Sequence, residues 1–412
     1  MDKLWRSGII LSAAGFVAGL GNYAFQSIIG HQLELSEYGY VNSTLGFTGL
    51  LGLPLLIVST ALAHHIAHYR AKNDPSRLQG LLSGYSRFLF RSTLVASVVA
   101  LALVKPLSDF FNFPRASLMF VALLCVLTGL WANFGGALCQ GMAWFKRMAL
   151  INLAAVALRL LYGWLVTRQF PAAEYAVSAT AVSMLAYLVL LFWRKSLVVH
   201  HEETSPWDRE FVKYLVLTAA CMGGGYLFSQ GDLLVAQRWF SGKQLGSYSA
   251  AGLLARALVF VVAPLLTVLF TSRSGDQSAP ALREQLQVLG LYAGGLAVGG
   301  AVLLLMRPLL VKFIFGHAAA EASAMLVPFT ITMFFLGLVQ ALGMWVLASR
   351  GFVLGLTYGG LGVAYWLTLL MFGRSPDVLL RFMVIASGVV LLVLGSAWFI
   401  QVRSATVRRN QG

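Results

Sequence analysis

Residues 116–140 read ASLMFVALLCVLTGLWANFGGALCQ, a stretch without Asp, Glu, Lys or Arg. A helix needs about 20 mainly apolar residues to cross the hydrocarbon core of a bilayer, and this stretch is long enough. It is too long and too continuously apolar for a strand of a membrane barrel, where polarity alternates. The stretch therefore predicts a transmembrane α-helix.

The whole chain of 412 residues has the same character. It is 58% hydrophobic and 11% charged, and its mean hydropathy is +0.77. Because a soluble domain carries about 25% charged residues, most of this surface must face lipid. The net charge of +15 comes from basic residues placed singly or in twos and threes between apolar runs. That distribution is typical of membrane topology and excludes a nucleic-acid-binding surface as its cause.

Charge clusters and Pro, Gly and Asn residues divide the chain into twelve apolar segments. This indicates an all-α integral membrane protein of about 12 transmembrane helices. The segments lie near 7–30, 38–69, 81–104, 116–140, 148–167 and 173–193, and then near 211–240, 245–271, 286–306, 322–348, 352–372 and 378–402.

Lys and Arg are about twice as frequent on one side of this arrangement as on the other, which predicts that both termini are cytoplasmic. The predicted organisation is an N-terminal six-helix bundle, a cytoplasmic linker, a C-terminal six-helix bundle and a basic cytoplasmic tail, at 1–195, 196–210, 211–402 and 403–412.

No segment between the spans is long enough for a catalytic domain, so the protein is not expected to be an enzyme. His200 and His201 in the linker are adjacent and cannot share one helical face. Cys125, Cys139 and Cys221 have neither metal-ligand nor redox spacing. We therefore expect no metal site and no cofactor.

The two halves begin alike. GHQLELSEYGYVNS surrounds Gly39 after the first span, and QRWFSGKQLGSYSAAG surrounds Gly246 after the seventh, 207 positions later. The tripeptide PLL recurs inside the second and eighth spans, at Pro54 and Pro264. Six spans per half predict two pseudo-symmetric bundles in a parallel repeat, a design used by one class of secondary transporters.

Several residues inside spans are candidate kinks or soft points. Pro54 and Pro264 each remove a backbone hydrogen bond. Gly223, Gly224 and Gly225 form a similar candidate in the seventh span.

Three ionisable residues fall near the middle of predicted spans: Arg159, Asp232 and Arg256. Such groups cost at least ~2.5 kcal/mol in the bilayer centre and are functional candidates by default. Two alternatives stay open: Asp232 and Arg256 form a structural ion pair, and Arg159 reaches an interface with its long side chain. Even with such a pair, one positive charge is left over. Polar residues near these charges are Asn22, Gln26, Asn133, Gln230 and Gln237.

Aromatic residues at the outer span ends favour an interfacial aromatic belt, with stacking against sugars as the alternative; they are Tyr38, Tyr40, Trp239 and Tyr248.

The whole chain resembles the polysaccharide transporter family of the multidrug/oligosaccharidyl-lipid/polysaccharide exporter superfamily. The resemblance rests on the two six-span halves and on short motifs. An E-Y-G turn follows the first span at Glu37, Tyr38 and Gly39. Asp232 in the seventh span is followed by a G-x-Y turn at Gly246 and Tyr248.

The resemblance implies an alternating-access flippase that moves a polyprenyl-diphosphate-linked oligosaccharide, such as an O-antigen or exopolysaccharide unit, across the bacterial inner membrane. It also implies a central cavity lined by spans one, two, seven and eight. Expected partners are that glycan lipid, membrane lipid, glycan polymerase or ligase proteins, and a coupling proton or cation. The hypothesis for the site is that Arg159 and Arg256 hold the diphosphate, that Asp232 competes for an arginine when the site empties, and that Asn22, Gln26 and Gln230 contribute polar contacts.

Two rival functions remain. An ion-coupled multidrug exporter of the same superfamily would share the fold but would carry acidic residues for cationic substrates. A membrane-embedded polysaccharide ligase or polymerase would need paired catalytic residues, usually on a sizeable outer loop.

Overall fold

The computed structural model of the chain describes residues 2–192, 209–271, 282–315, 320–348 and 352–410. All regular secondary structure in these ranges is helical. The predicted linker at 196–210, including His200 and His201, lies outside them except for its last two residues.

The described ranges contain thirteen helices. In chain order they are α1 (Asp2–Gln32), α2 (Leu35–Ala71), α3 (Pro75–Phe110), α4 (Ala116–Gly141), α5 (Phe145–Gln169), α6 (Ala173–Phe192), α7 (Arg209–Trp239), α8 (Gly242–Thr271), α9 (Leu282–Leu305), α10 (Arg307–Phe315), α11 (Ala320–Ala348), α12 (Phe352–Phe372) and α13 (Pro376–Asn410).

Each of the twelve predicted spans falls on one of the long helices, and the additional helix, α10, has only nine residues. In the described part of the chain, nine helices are long and apolar enough to cross a membrane: α2 to α6, α9 and α11 to α13. The chain is thus a multi-pass membrane protein. The last helix, α13, runs to Asn410 and so includes most of the segment predicted as a basic tail at 403–412.

Several helices extend beyond the apolar runs that predicted them, as α3 shows. Its predicted span is 81–104, but the helix begins at Pro75, where Asp74 caps it. The Asp74 carboxylate accepts hydrogen bonds from the Arg77 backbone N–H at 3.1 Å and the Ser76 hydroxyl at 2.9 Å, and these bonds lower its pKa. Hydropathy marks only the apolar part of a helix, whereas caps decide where its backbone hydrogen bonding starts.

The chain forms two compact units, Met1–Val216 and Leu217–Gly412. In the first, α1 packs along α5, α2 along α4, and α6 contacts both α4 and α5, while α3 lies against α4. In the second, α11 contacts α8, α9 and α13, and α12 packs along α13. The pairs α2–α4, α3–α4, α4–α6 and α5–α6 of the first unit thus correspond to the pairs α8–α11, α9–α11, α11–α13 and α12–α13 of the second. The predicted all-helical membrane fold with two repeated bundles is confirmed.

Glycines bring α7 and α12 close together in the second unit. A Cβ at Gly359 would lie 2.9 Å from the Ala220 carbonyl oxygen, and one at Gly362 would lie 2.6 Å from the Gly224 Cα. Small residues allow this kind of backbone approach between membrane helices. Gly224, predicted as a soft point, thus has a packing role, whereas a Cβ at neighbouring Gly223 would meet nothing within 4 Å.

We expect Gly362→Ala to lower the stability of the protein by about 1–3 kcal/mol, because the added methyl group overlaps the α7 backbone. The matched control is Gly360→Ala, two residues away on α12, where a Cβ meets nothing within 4 Å. Thermal unfolding of the purified, detergent-solubilised variants measures the difference. Equal melting temperatures for the two variants would contradict the close packing of α7 on α12.

Candidate functional site

A cavity of about 420 Å³ lies inside the N-terminal unit. Its size falls within the ~300–1,000 Å³ range of small-molecule sites. Helices α1, α2, α4, α5 and α6 form its wall. The polar residues that line it are Asn22, Ser59, Thr60, Asn133, Gln140, Asn152, Arg159, Thr180, Ser183 and Tyr187.

Helical spacing explains why these polar residues meet. Asn152 and Arg159 on α5 are seven positions apart, which places them two turns apart on one face. On α6, Thr180, Ser183 and Tyr187 follow each other at spacings of three and four, again on one face. Helices α5 and α6 therefore each present one polar face to the cavity.

Arg159 carries the charge of this cavity. Its Nη1 donates to the Asn22 side-chain oxygen at 2.7 Å, and its guanidinium lies 4.2 Å from the centre of the Phe25 ring. Its Nε is buried and has no hydrogen-bond partner among the described residues. The side chain is therefore held from one side while a donor remains available.

The cavity has an excess of positive charge. Arg159 is the only charged side chain among the described residues that line it, and none of these is acidic. A cation at this depth is costly unless something negative compensates it. The arrangement therefore favours an anion over a cation as occupant.

Other predicted site residues of this unit are placed differently. Asn22 and Asn133 line the cavity, whereas Gln26 does not, although its Oε1 is buried without a hydrogen-bond partner in the described part of the chain.

Asp232 and Arg256 form a buried ion pair in the C-terminal unit. Arg256 Nη2 donates to both Asp232 carboxylate oxygens at 2.6 Å, and the Tyr248 hydroxyl donates to one of them at 2.7 Å. Arg256 Nε donates to the Ser229 carbonyl at 2.7 Å. The Asp232 side chain is 0% exposed and that of Arg256 12%.

This geometry favours the structural alternative for the pair. Both carboxylate oxygens are engaged, so binding of a substrate to Asp232 or to Arg256 through Nη2 requires the pair to open first. Gln230 lies half-buried on α7 two residues before Asp232, and Gln237 is buried at 2% exposure.

The repeat relates the two arginine sites. The 207-residue offset that separates Gly39 from Gly246 also pairs Asn22 with Ser229 and Phe25 with Asp232. Arg159 contacts the first member of each pair, and Arg256 contacts the second.

The two arginines therefore reach matching positions on the first helix of their units, although Arg159 comes from α5 and Arg256 from α8. In the C-terminal unit an aspartate neutralises the arginine. In the N-terminal unit a phenylalanine occupies that position, and no carboxylate among the described residues compensates the charge of Arg159.

The E-Y-G motif has a structural role in this fold. The Glu37 carboxylate accepts from Arg115 Nη2 at 2.6 Å and from the Ala173 backbone N–H at 2.7 Å. Arg115 also pairs with Glu174 at 2.8 Å. Glu37 thus ties together the starts of α2, α4 and α6.

The aromatic-belt interpretation is wrong for Tyr38 and Tyr248, which are 1% and 0% exposed and pack inside their units together with the buried Gly39 and Gly246. Trp239 is 41% exposed, as a belt residue would be.

The predicted proline kinks lie within continuous helices. Helix α2 continues past Pro54 to Ala71, and α8 continues past Pro264 to Thr271. The two positions remain candidates for bending.

Sequence reasoning missed most of the polar cavity wall, including Ser59, Asn152, Thr180, Ser183 and Tyr187. The available signal was weak: polar residues at spacings of three, four and seven within otherwise apolar spans. Only the packing of five helices shows that these stripes face one another.

No protein family matches the sequence, and no curated protein is similar to it. Solved structures do resemble the fold. An inward-facing multidrug resistance MATE family transporter of the MOP superfamily shares 13% identity with a TM-score of 0.70, over 97% of this chain and 98% of that one.

Two further solved structures are similar. The lipid II flippase MurJ in an inward closed conformation shares 13% identity with a TM-score of 0.66, over 94% of this chain and 86% of that one. An outward-facing MATE transporter, also of the MOP superfamily, shares 15% identity with a TM-score of 0.59, covering 97% of this chain and 95% of that one. The chain has the same fold as these transporters and this flippase.

Proposed function

We propose that the protein is a flippase that moves a polyprenyl-diphosphate-linked oligosaccharide across the bacterial inner membrane by alternating access. The observation that carries this proposal is the uncompensated Arg159 in a polar cavity of the N-terminal unit. The fold adds support, since solved structures of similar architecture include a lipid flippase and drug transporters.

The chemistry of the substrate suits this cavity. A lipid-linked diphosphate is anionic and strongly hydrated, and its bare passage through hydrocarbon would be prohibitively costly. Arginine presents a planar set of donors that pairs with phosphate oxygens, and the Nε of Arg159 has no partner in the described part of the chain. The cavity would replace the hydration of the headgroup while the lipid tail stays in the bilayer. A proton or cation would couple the cycle, and glycan polymerase or ligase proteins would receive the product.

A second candidate is a multidrug exporter, which the similarity to MATE transporters favours. A cationic drug would need a carboxylate, and no described residue lining the cavity is acidic. Growth inhibition by cationic dyes, compared with and without the gene, separates the candidates. Protection by the gene without any effect on glycan export would favour the exporter.

The test of the proposed function is glycan export by Arg159 variants in a deletion strain. We expect Arg159→Ala to reduce export ~10-fold or more, because a charge-assisted hydrogen bond contributes about 1.5–3 kcal/mol. Arg159→Lys should fall in between, since it keeps the charge but loses the planar donors.

The control is Arg168→Ala, which removes an exposed arginine at the end of the same helix, outside the cavity. If Arg159→Ala is present in the membrane at the normal level and exports as much glycan as the wild-type protein, the proposal is wrong.

A further inference from the structure

The cavity contains buried hydroxyl groups that the binding of a phosphate does not explain. Thr180 and Tyr187 are 8% and 7% exposed, and both line the cavity. The Thr180 Oγ1 and the Tyr187 hydroxyl are buried and have no hydrogen-bond partner among the described residues. Buried polar groups are normally paired, so two unpaired hydroxyls in one cavity indicate that this wall binds a polar ligand.

Amide side chains line the same cavity as these hydroxyls. Asn133 and Gln140 from α4 and Asn152 from α5 line the same cavity. Each amide offers donors and an acceptor, and each hydroxyl can do both. The Tyr187 hydroxyl lies near α4, since a Cβ at Gly136 would be 3.9 Å from it. This part of the wall is therefore rich in neutral groups that both donate and accept.

The complementary ligand is a neutral molecule rich in hydroxyl groups. An apolar ligand would leave the orphan hydroxyls unpaired, and a second phosphate would find no second cation among the described lining residues. The cavity volume of about 420 Å³ lies at the lower end of the ~300–1,000 Å³ range of small-molecule sites, which suits one sugar ring beside its phosphate.

We infer that the Thr180 and Tyr187 hydroxyls, with the amides of Asn133, Gln140 and Asn152, form a subsite for the uncharged pyranose attached directly to the lipid diphosphate. This inference rests on the proposed function, in which Arg159 holds the phosphate. The subsite binds the first sugar of the headgroup. The protein therefore distinguishes a glycosylated lipid diphosphate from the same lipid diphosphate without a sugar.

The test compares binding of four lipids to purified protein in nanodiscs. The probes are undecaprenyl diphosphate alone and the same lipid carrying one glucose, galactose or N-acetylglucosamine. We expect wild-type protein to bind at least one glycosylated lipid ~10-fold tighter than the bare diphosphate, since each neutral hydrogen bond contributes about fivefold. The double variant Thr180→Val and Tyr187→Phe keeps side-chain shape and should bind the glycosylated lipids no more tightly than the bare diphosphate.

Tyr85→Phe is the control, because Tyr85 lies buried on α3 and does not line the cavity. Wild-type protein without preference for any glycosylated probe, or a double variant that retains the preference, would overturn the subsite. An equal loss for all four lipids in the double variant would also overturn it, since the hydroxyls would then act only on the fold. Failure of the proposed function would give a different result. In that case Arg159→Ala would bind all four lipids, bare and glycosylated, as tightly as the wild-type protein does.

Discussion

Phe25→Asp should lower glycan export far more than Phe25→Asn does. Position 25 corresponds to Asp232 in the repeat, and Arg159 lies 4.2 Å from the Phe25 ring centre. An aspartate there would give Arg159 the internal partner that Arg256 already has. The new carboxylate would occupy the arginine and repel the incoming phosphate, and we expect export to fall ~30-fold or more, the equivalent of about 2 kcal/mol.

The comparison with Phe25→Asn isolates the charge. Both substitutions remove the same buried ring and introduce a polar side chain of nearly the same size, so their packing losses are similar. Export is measured in a deletion strain and normalised to the amount of protein in the membrane. If both variants export equally, the uncompensated charge of Arg159 has no role in transport.

Asp232→Ala should unfold or strongly destabilise the C-terminal unit, by about 3–5 kcal/mol, because it leaves Arg256 buried without its counter-ion. The double variant Asp232→Ala with Arg256→Met should recover most of that stability, since replacing a buried ion pair by apolar groups is often nearly neutral. Thermal unfolding of the purified variants, together with their membrane levels, gives both quantities.

Export by the double variant then decides between the two interpretations of the pair. Because Asp232 is fully buried and both its oxygens are engaged, we expect the stable double variant to export normally. A double variant that folds but fails to export would contradict this and would show that Arg256 contacts the substrate when the pair opens.

These tests address an asymmetry between two similar bundles. One arginine per unit reaches the matching positions of the first helix, and only one of them is neutralised. The two arginines come from helices that the repeat does not relate, α5 and α8, so only the positions they contact on the first helix correspond. The arginine without a described carboxylate partner is the one that lines a polar cavity, which is why we place the headgroup site in the N-terminal unit.

The sequence alone determined the fold class, because it depends on local quantities. Long uncharged runs such as 116–140 require helices in lipid, and the recurrence around Gly39 and Gly246 indicates the duplication. The three mid-span charges were also evident, because an ionisable residue in an apolar run stands out without any knowledge of its neighbours.

Tertiary structure decided which of these charges are paired and what surrounds them. Asp232 and Arg256 are 24 positions apart and Arg159 and Asn22 are 137 apart, so no local pattern specifies either contact. Single Thr, Ser, Asn and Tyr residues in a span are indistinguishable from ordinary packing residues until five helices close around them. The charge of a residue is known from its type alone. A cavity lies between helices, so the residues that line it are decided by the way the helices pack.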